Sequence, residues 1–348
     1  MGSGPRVPKK IVVSIWPGIG DVIFCTPVFR LLRKKFTDTW ITGLVWSKGG
    51  KTILSTNPYI DEIVEGSATK IKALISKFKN YDIGVQCSHP IQLIFILAGI
   101  KKRVSFNGNP FWWLFPVSSN EFHSTEYYLQ AVDKIDGIRM RDGNQWDIFL
   151  NKADEDTASA LLKEMNPPIV AIHPGARNNK NKRWRTSKFT KLCDLLFEQY
   201  GAHILLVGGK DDRKLCNFIT KHTTAAKITI LAGKLTLLQT AAVLKRCNLL
   251  IGHASGPTYI ASAVGTPVVA IHGPDSYINF GALGDKVKVV SSTLKCSPCL
   301  HFYRNFLWGL RVRYIPICWA MQKISVEQVF DACCQQLKKD YKPKEIKK

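Results

Sequence analysis

The stretch Ile169-Val-Ala-Ile-His-Pro-Gly-Ala176 decides the fold. A short apolar, β-branched run stops at a Pro-Gly turn, and a helical pattern follows after a basic loop. That is how a buried parallel strand feeds a crossover helix. The same pattern recurs at residues 248–251 before Gly252-His-Ala-Ser-Gly-Pro257, and at 268–272 before Gly273-Pro274. Further runs stand at 203–207, 228–231 and 287–290. Six such strands with helices between them predict a doubly wound parallel sheet.

Reading backward, Lys152-Ala-Asp-Glu-Asp156 starts a helix to about residue 164, and Asn166-Pro-Pro168 ends it. Two prolines cannot continue a helix and stiffen the chain, so this is the expected linker. Strands at 11–15, 40–46, 81–86 and 103–106 precede it. The chain is therefore read as α/β, with two Rossmann-like doubly wound domains facing across a cleft. The boundaries are 1–165, 166–325, and a C-terminal helix and basic tail over 326–348.

The 348 residues and 45% hydrophobic content suit two cores and exclude a disordered chain. The longest candidate membrane run, residues 91–100, is half of the roughly 20 residues a span needs. No export signal is read at the N-terminus, and the ten cysteines fall mostly in apolar segments, so a cytoplasmic location is expected. Cys296-Ser-Pro-Cys299 is the one metal-like pair. A structural zinc site needs two more ligands, such as Cys318 or His301, and a buried or redox-inert pair is the competing reading.

Formal charge is +23, and it is uneven: residues 1–165 carry +5 and residues 166–348 carry +18. The second half is where polyanions are expected. Sign alone does not separate nucleic acid, a phosphorylated lipid surface and a nucleoside diphosphate.

Three turns locate the chemistry. Trp16-Pro-Gly18-Ile-Gly20-Asp21-Val22 follows the first strand and opens a helical pattern through Lys35. Its glycines allow a tight turn and close ligand approach, and Asp21 falls at or next to the helix N-cap, where capping alone is the plain alternative. The third glycine of a dinucleotide fingerprint is missing, which argues against NAD. His173-Pro-Gly175-Ala176 leads into Arg177, Lys180, Lys182, Arg183, Arg185, Lys188 and Lys191 with no acidic residue among them, either a diphosphate cradle or a solvated basic loop. Gly252-His-Ala-Ser255-Gly256-Pro-Thr-Tyr259 again opens a helix at a strand's carboxyl end, where free N–H groups attract phosphate.

The order of motifs resembles glycosyltransferase family nine, the heptosyltransferases that build the inner core of lipopolysaccharide. It runs from Gly18-Ile-Gly-Asp-Val22 through Ile172-His-Pro-Gly175, Lys182-Arg-Trp184, Val207-Gly-Gly-Lys-Asp-Asp212, Leu231-Ala-Gly-Lys234 and Ser255-Gly-Pro257 to Gly265-Thr-Pro-Val-Val269 and Gly273-Pro274. The resemblance covers residues 10–335 and implies a GT-B fold, with acceptor bound mainly by the first domain and nucleotide-sugar by the second. It implies a metal-independent, inverting glycosyltransferase without a cofactor, Asp21 being the general base beside Gly18 and Gly20. Lys182 matches the donor-phosphate lysine, Gly175, Ala176 and Arg177 the adjoining turn, Ser255 and Gly256 the second turn, and Asp212 the acidic residue that meets the nucleoside. The implied partners are a nucleoside diphosphate sugar, a phosphorylated glycolipid acceptor and, peripherally, the inner face of an anionic membrane; nucleic acid is not expected.

Departures from the pattern are Ala254, where the family usually has Asp, and Tyr259, where it usually has His. Tyr259 is expected to offer a phenolic donor instead, and His253 stands one step from the missing acid. The departures keep open a different nucleotide-sugar donor, or a basic scaffold or nucleic-acid-binding protein with a degenerate donor site. The aromatic run Asn109-Pro-Phe-Trp-Trp-Leu-Phe115 is read either as an acceptor or membrane contact or as core.

Overall fold

A computed structural model describes residues 7–87, 92–105, 122–136, 143, 145–176, 180–299, 318–338 and 340–343. Arg177, His301 and the aromatic run 109–115 lie outside the described residues. The chain forms two compact units that part between Phe149 and Leu150.

The first unit holds β1 (Lys10–Ile15), β2 (Trp40–Val45), β3 (Glu62–Glu65), β4 (Ile83–Cys87) and β5 (Lys102–Ser105). They form one sheet in the order β3-β2-β1-β4-β5, every pair parallel. β1 is central, so Ile11, Val12, Val13 and Ile15 are fully buried, as expected for a strand covered on both faces. Gly84 on β4 has no room for a Cβ because the Phe95 ring lies against it. Phe95 belongs to α5 (Gln92–Leu97) and packs edge-on against Phe78 of α4 (Ile71–Phe78).

Two sequence expectations change here. β3 was not foreseen: Glu-Ile-Val-Glu is four residues long, half-buried and at the sheet edge, too short for a periodicity to stand out. The helix expected from Asp21 through Lys35 is two, α1 (Ile19–Phe24) and α2 (Thr26–Lys35), broken at Cys25. Pro27 in the first turn of α2 has no N–H to continue α1, and the Thr26 hydroxyl donates to Ile23 O at 2.8 Å. The unit's described residues also form α3 (Lys48–Leu54) and α6 (Ser124–Asp136).

The second unit begins with α7 (Lys152–Leu162), which packs on α10 (Leu237–Lys245). That helix had been assigned to the first domain because Pro167-Pro168 punctuates the sequence more strongly than residues 149–150, where no proline or glycine marks the break. The strands are β6 (Ile169–His173), β7 (His203–Leu206), β8 (Lys227–Ile230), β9 (Leu249–His253), β10 (Val268–His272) and β11 (Val287–Ser291). All six were foreseen to within two residues. Their order is β11-β10-β9-β6-β7-β8, all parallel. α8 (Thr186–Tyr200) and α9 (Arg213–His222) cover the sheet, with α11 (Gly256–Ala263), α12 (Tyr277–Phe280), α13 (Trp319–Lys323) and α14 (Val326–Leu337). Trp184, Phe189, Leu192, Leu196, Val329 and Cys333 form part of one core with β6, β7 and β9.

Among the described residues, no helix is long and apolar enough to cross a membrane.

Candidate functional site

In the second unit the chain leaves β6 toward β7 and β8 and returns on its other side to build β9, β10 and β11. The two sides meet between β6 and β9. In open parallel sheets such a switch point leaves a crevice at the strands' carboxyl ends. The turns flagged from sequence occupy that place: Pro174-Gly175-Ala176 after β6, and Ala254-Ser255-Gly256 after β9.

Ser255 is the N-cap of α11, with extended backbone and no side-chain cap, and Pro257 lies in the first turn. Its hydroxyl instead donates to His253 O at 3.1 Å and lies 3.0 Å from His173 Nδ1. Pro257 has no N–H, and the Thr258 and Tyr259 N–H groups donate to Ser255 O at 3.0 and 3.2 Å, which leaves the Gly256 N–H, at the positive end of the helix dipole, for another partner.

His253 ties the two turns together. Its Nδ1–H donates to Gly175 O at 3.0 Å, and its Nε2 accepts from Trp184 N–H at 2.9 Å. Burial pushes the imidazole down to about 3, with the nearby His173, His272 and Arg183 acting in the same direction against the Gly175 carbonyl. It is thus a neutral bridge, and does not replace the acid missing at Ala254.

Asp212 is drawn inward as well. Its Oδ2 accepts from Gly209 N–H at 2.9 Å and lies 3.4 Å from His173 Nε2. Burial favours the neutral acid, but the His173 ring, the Gly209 N–H and Arg183 outweigh it and hold the carboxyl below its ordinary value. A Cβ at Gly175 would collide with this carboxylate. Asp212 therefore clamps the β7–α9 turn onto the β6 turn.

Lys182 closes a short 3₁₀ turn (Lys180–Lys182) and pairs with Asp275 Oδ1 at 2.6 Å. Arg183 donates to Ala176 O at 3.2 Å. Gly175, Ala176, Lys182, Asp212, Ser255 and Gly256 are thus carried on turns that end β6, β7 and β9. Tyr259 is turned away from this group: it is buried in α11 and its hydroxyl donates to Phe280 O at 3.0 Å. The expected phenolic donor is spent inside the fold, because a buried hydroxyl takes the nearest carbonyl.

In the first unit Gly18, not Asp21, is the N-cap of α1. Asp21 sits inside the first turn, folded back over the Gly18 α-carbon so that a Cβ there would strike Oδ2. Gly20 precedes it in the same turn. The Tyr128 hydroxyl, from α6, donates to Asp21 Oδ1 at 3.4 Å. Burial, then the charge of Asp21, holds this phenol well above its ordinary range, so it stays a proton donor. The buried thiols of Cys25 and Cys87 lie close by; burial first, then Cys87 and Asp21, pushes Cys25 up.

Sequence reasoning did not single out Tyr128, 107 residues from Asp21, and no local signal marks it. It also passed over Asp275, although Gly273-Pro274 stood among the quoted motifs. Cys296, Cys299 and Cys318 are free thiols, and among the described residues no group of three or more His, Cys, Asp or Glu stands ready to hold a metal ion.

Glycosyltransferase family 9 (heptosyltransferase) matches residues 92–306. Lipooligosaccharide heptosyltransferase 2 of Haemophilus influenzae is 31% identical over 303 residues, covering 78% of this chain and 85% of that protein. Its counterpart from Campylobacter jejuni is 23% identical, covering 84% and 90%. Among solved structures, a family 9 glycosyl transferase from Veillonella parvula superposes with a TM-score of 0.77 at 21% identity, covering 95% of this chain and 98% of that one. The E. coli ADP-heptose LPS heptosyltransferase II does so with 0.75 at 19% identity, covering 95% and 99%. The fold is that of these GT-B proteins.

Proposed function

Because the chain belongs to glycosyltransferase family 9, the heptosyltransferase family, we propose that it transfers a heptose, with inversion, from a nucleoside diphosphate donor to a lipopolysaccharide core or similar glycolipid acceptor. The observation that carries this reading is the pair of turns at the β6/β9 switch point with Lys182 beside them. The Gly256 N–H at the start of α11 and the Gly175-Ala176 turn suit a diphosphate, and Lys182 supplies the cation.

Inversion needs an acceptor hydroxyl to attack the anomeric carbon from the face opposite the leaving diphosphate. Asp21 takes the proton as that bond forms, a contribution of roughly 10² to 10⁴ in rate. The half-buried carboxylate, held by Tyr128 and folded over Gly18, is preset for this role. The charge that grows on the leaving diphosphate meets Lys182 and the helix terminus, which stand in place of a metal. The +18 of residues 166–348 exceeds what one diphosphate needs, and six lysines from Lys338 onward suit loose attraction to an anionic membrane surface.

Thermal unfolding with ADP, GDP, UDP and their sugar conjugates tests the donor half of this reading. At 100 times Kd one ligand adds about 2.7 kcal/mol of stability. Stabilisation by one nucleotide series is expected. No stabilisation by any, together with tight salt-sensitive binding of DNA or RNA, would overturn it in favour of a basic scaffold.

A further inference from the structure

The carboxylate of Asp275 is 3% exposed and stands beyond the two phosphate-type turns, in the loop that follows β10. β10 is the neighbour of β9 on the side away from β6, and their strands end level, Ile271 pairing with His253. Lys182, on the segment between β6 and α8, meets Asp275 there at 2.6 Å. Along the carboxyl edge of the sheet the order is therefore the Asp212 turn, the Gly175 turn, the Ser255-Gly256 turn, and the Lys182–Asp275 pair. Neighbouring strands are about 4.8 Å apart, so the ends of β7 and β10 are separated by roughly 14 Å, although the Asp212 carboxylate itself folds back over Gly175. A nucleoside diphosphate sugar is a linear molecule of about that length. With its diphosphate at the switch point and its nucleoside on the Asp212 side, its sugar falls beside Asp275.

A carboxylate beside a diphosphate is repelled by it, and recognises no part of it. It is tolerated there because Lys182 lies between: an ammonium carries three donors and can hold carboxylate and phosphate together. The remaining acceptor sites of Asp275 suit hydroxyl donors. His272, the last residue of β10, is 1% exposed; its ring lies against the Asp275 backbone, and neither nitrogen makes a well-formed hydrogen bond among the described residues. Burial pushes it down to about 4, so it is neutral; the charges of Asp275 and Lys182 act on it in opposite directions. A hydroxyl, which both donates and accepts, serves a carboxylate and a neutral imidazole alike. The β9 turn offers no acid here, since Ala254 holds the place before Ser255.

We infer that Asp275 selects the donor's sugar, accepting hydrogen bonds from its hydroxyls while keeping Lys182 aimed at the adjoining phosphate. This rests on the donor reading given above. It makes Asp275 a specificity residue and shifts the acidic contact from the β9 turn to the β10 turn.

Calorimetric titration of wild type, Asp275→Asn and Asp275→Glu with three pairs, ADP and ADP-heptose, GDP and GDP-mannose, UDP and UDP-glucose, tests it. In the pair that wild type prefers, Asp275→Asn should weaken the sugar nucleotide about 10- to 100-fold, the value of one or two hydrogen bonds to a charged group. It should leave the bare diphosphate within about threefold, allowing for one altered Lys182 contact. Asp275→Glu keeps the charge but moves it by one methylene, and the same sugar-only loss is expected if the Asn variant fails to fold. Equal weakening of both ligands would show that Asp275 only steadies Lys182, and no change in either that it serves neither; each result would overturn the inference while leaving the donor reading intact. Wild type that binds none of the six ligands overturns the donor reading, and this inference with it.

Discussion

Acidification should unfold the second unit through His253. In the folded chain this imidazole is neutral down to about pH 3, because burial outweighs its hydrogen bond to the Gly175 carbonyl. In the unfolded chain it takes a proton near pH 6.5. A histidine whose folded value is depressed contributes its full stability above 6.5 and loses it as the pH falls toward 3. The loss is about 1.4 kcal/mol per pH unit, or roughly 3 kcal/mol between pH 6.5 and 4.5. His272, pushed down to about 4, acts in the same direction over the same window. Together they remove about 5 kcal/mol, a large part of the 5–15 kcal/mol that typically holds a domain. Asp212 lies outside the window, since it is held below the ordinary carboxylate range. Urea unfolding of wild type and His253→Asn from pH 7.5 to 4.5 measures the effect. At pH 7.5 the variant should be about 1–3 kcal/mol less stable, having lost the bond from Trp184 N–H and the edge-on packing with Phe189. Below pH 6.5 its stability should then fall less steeply than that of wild type by about 1.4 kcal/mol per unit, so that the two curves meet between about pH 5.8 and 4.4. Parallel curves would refute the assignment of His253 as a buried neutral bridge.

Gly175→Ala places a Cβ on the Asp212 carboxylate, which Gly208 and the Gly209 N–H keep from retreating. A loss of about 1–3 kcal/mol in urea unfolding is expected. Gly209→Ala, whose Cβ would stay 3.9 Å from that carboxylate, should change stability by no more than about 0.5 kcal/mol. Tyr128→Phe removes the phenolic hydroxyl that donates to Asp21 Oδ1. With that bond at 3.4 Å, kcat should fall about tenfold and KM should hardly move, measured by steady-state transfer. An unchanged kcat would free Asp21 from this partner.

The second sheet was legible in the sequence because its strands are buried on both faces. Continuous runs such as Val268-Val-Ala-Ile-His272 carry a strong signal between turn residues. β3 was illegible for the opposite reason: an edge strand of four half-buried residues with glutamate at both ends leaves no pattern. The turns that carry Gly175, Ser255 and Asp21 could be placed because glycines at strand ends are local signals. What each side chain does there was not local. Asp212 and Tyr259 are turned inward by Gly209 and Phe280, and His253 is buried by Trp184 and Phe189. The pairing of Lys182 with Asp275, 93 residues away, depends on the sheet order, which places β10 beside β9.

The central claim is transfer of a heptose with Asp21 as the base. Purified protein should be incubated with ADP-heptose and a heptose-deficient lipopolysaccharide, and the product weighed by mass spectrometry, for wild type and Asp21→Asn. Addition of one heptose by wild type is expected, with a rate for the variant lower by roughly 10² to 10⁴ and nucleotide affinity unchanged. Transfer by Asp21→Asn at the wild-type rate would contradict the claim.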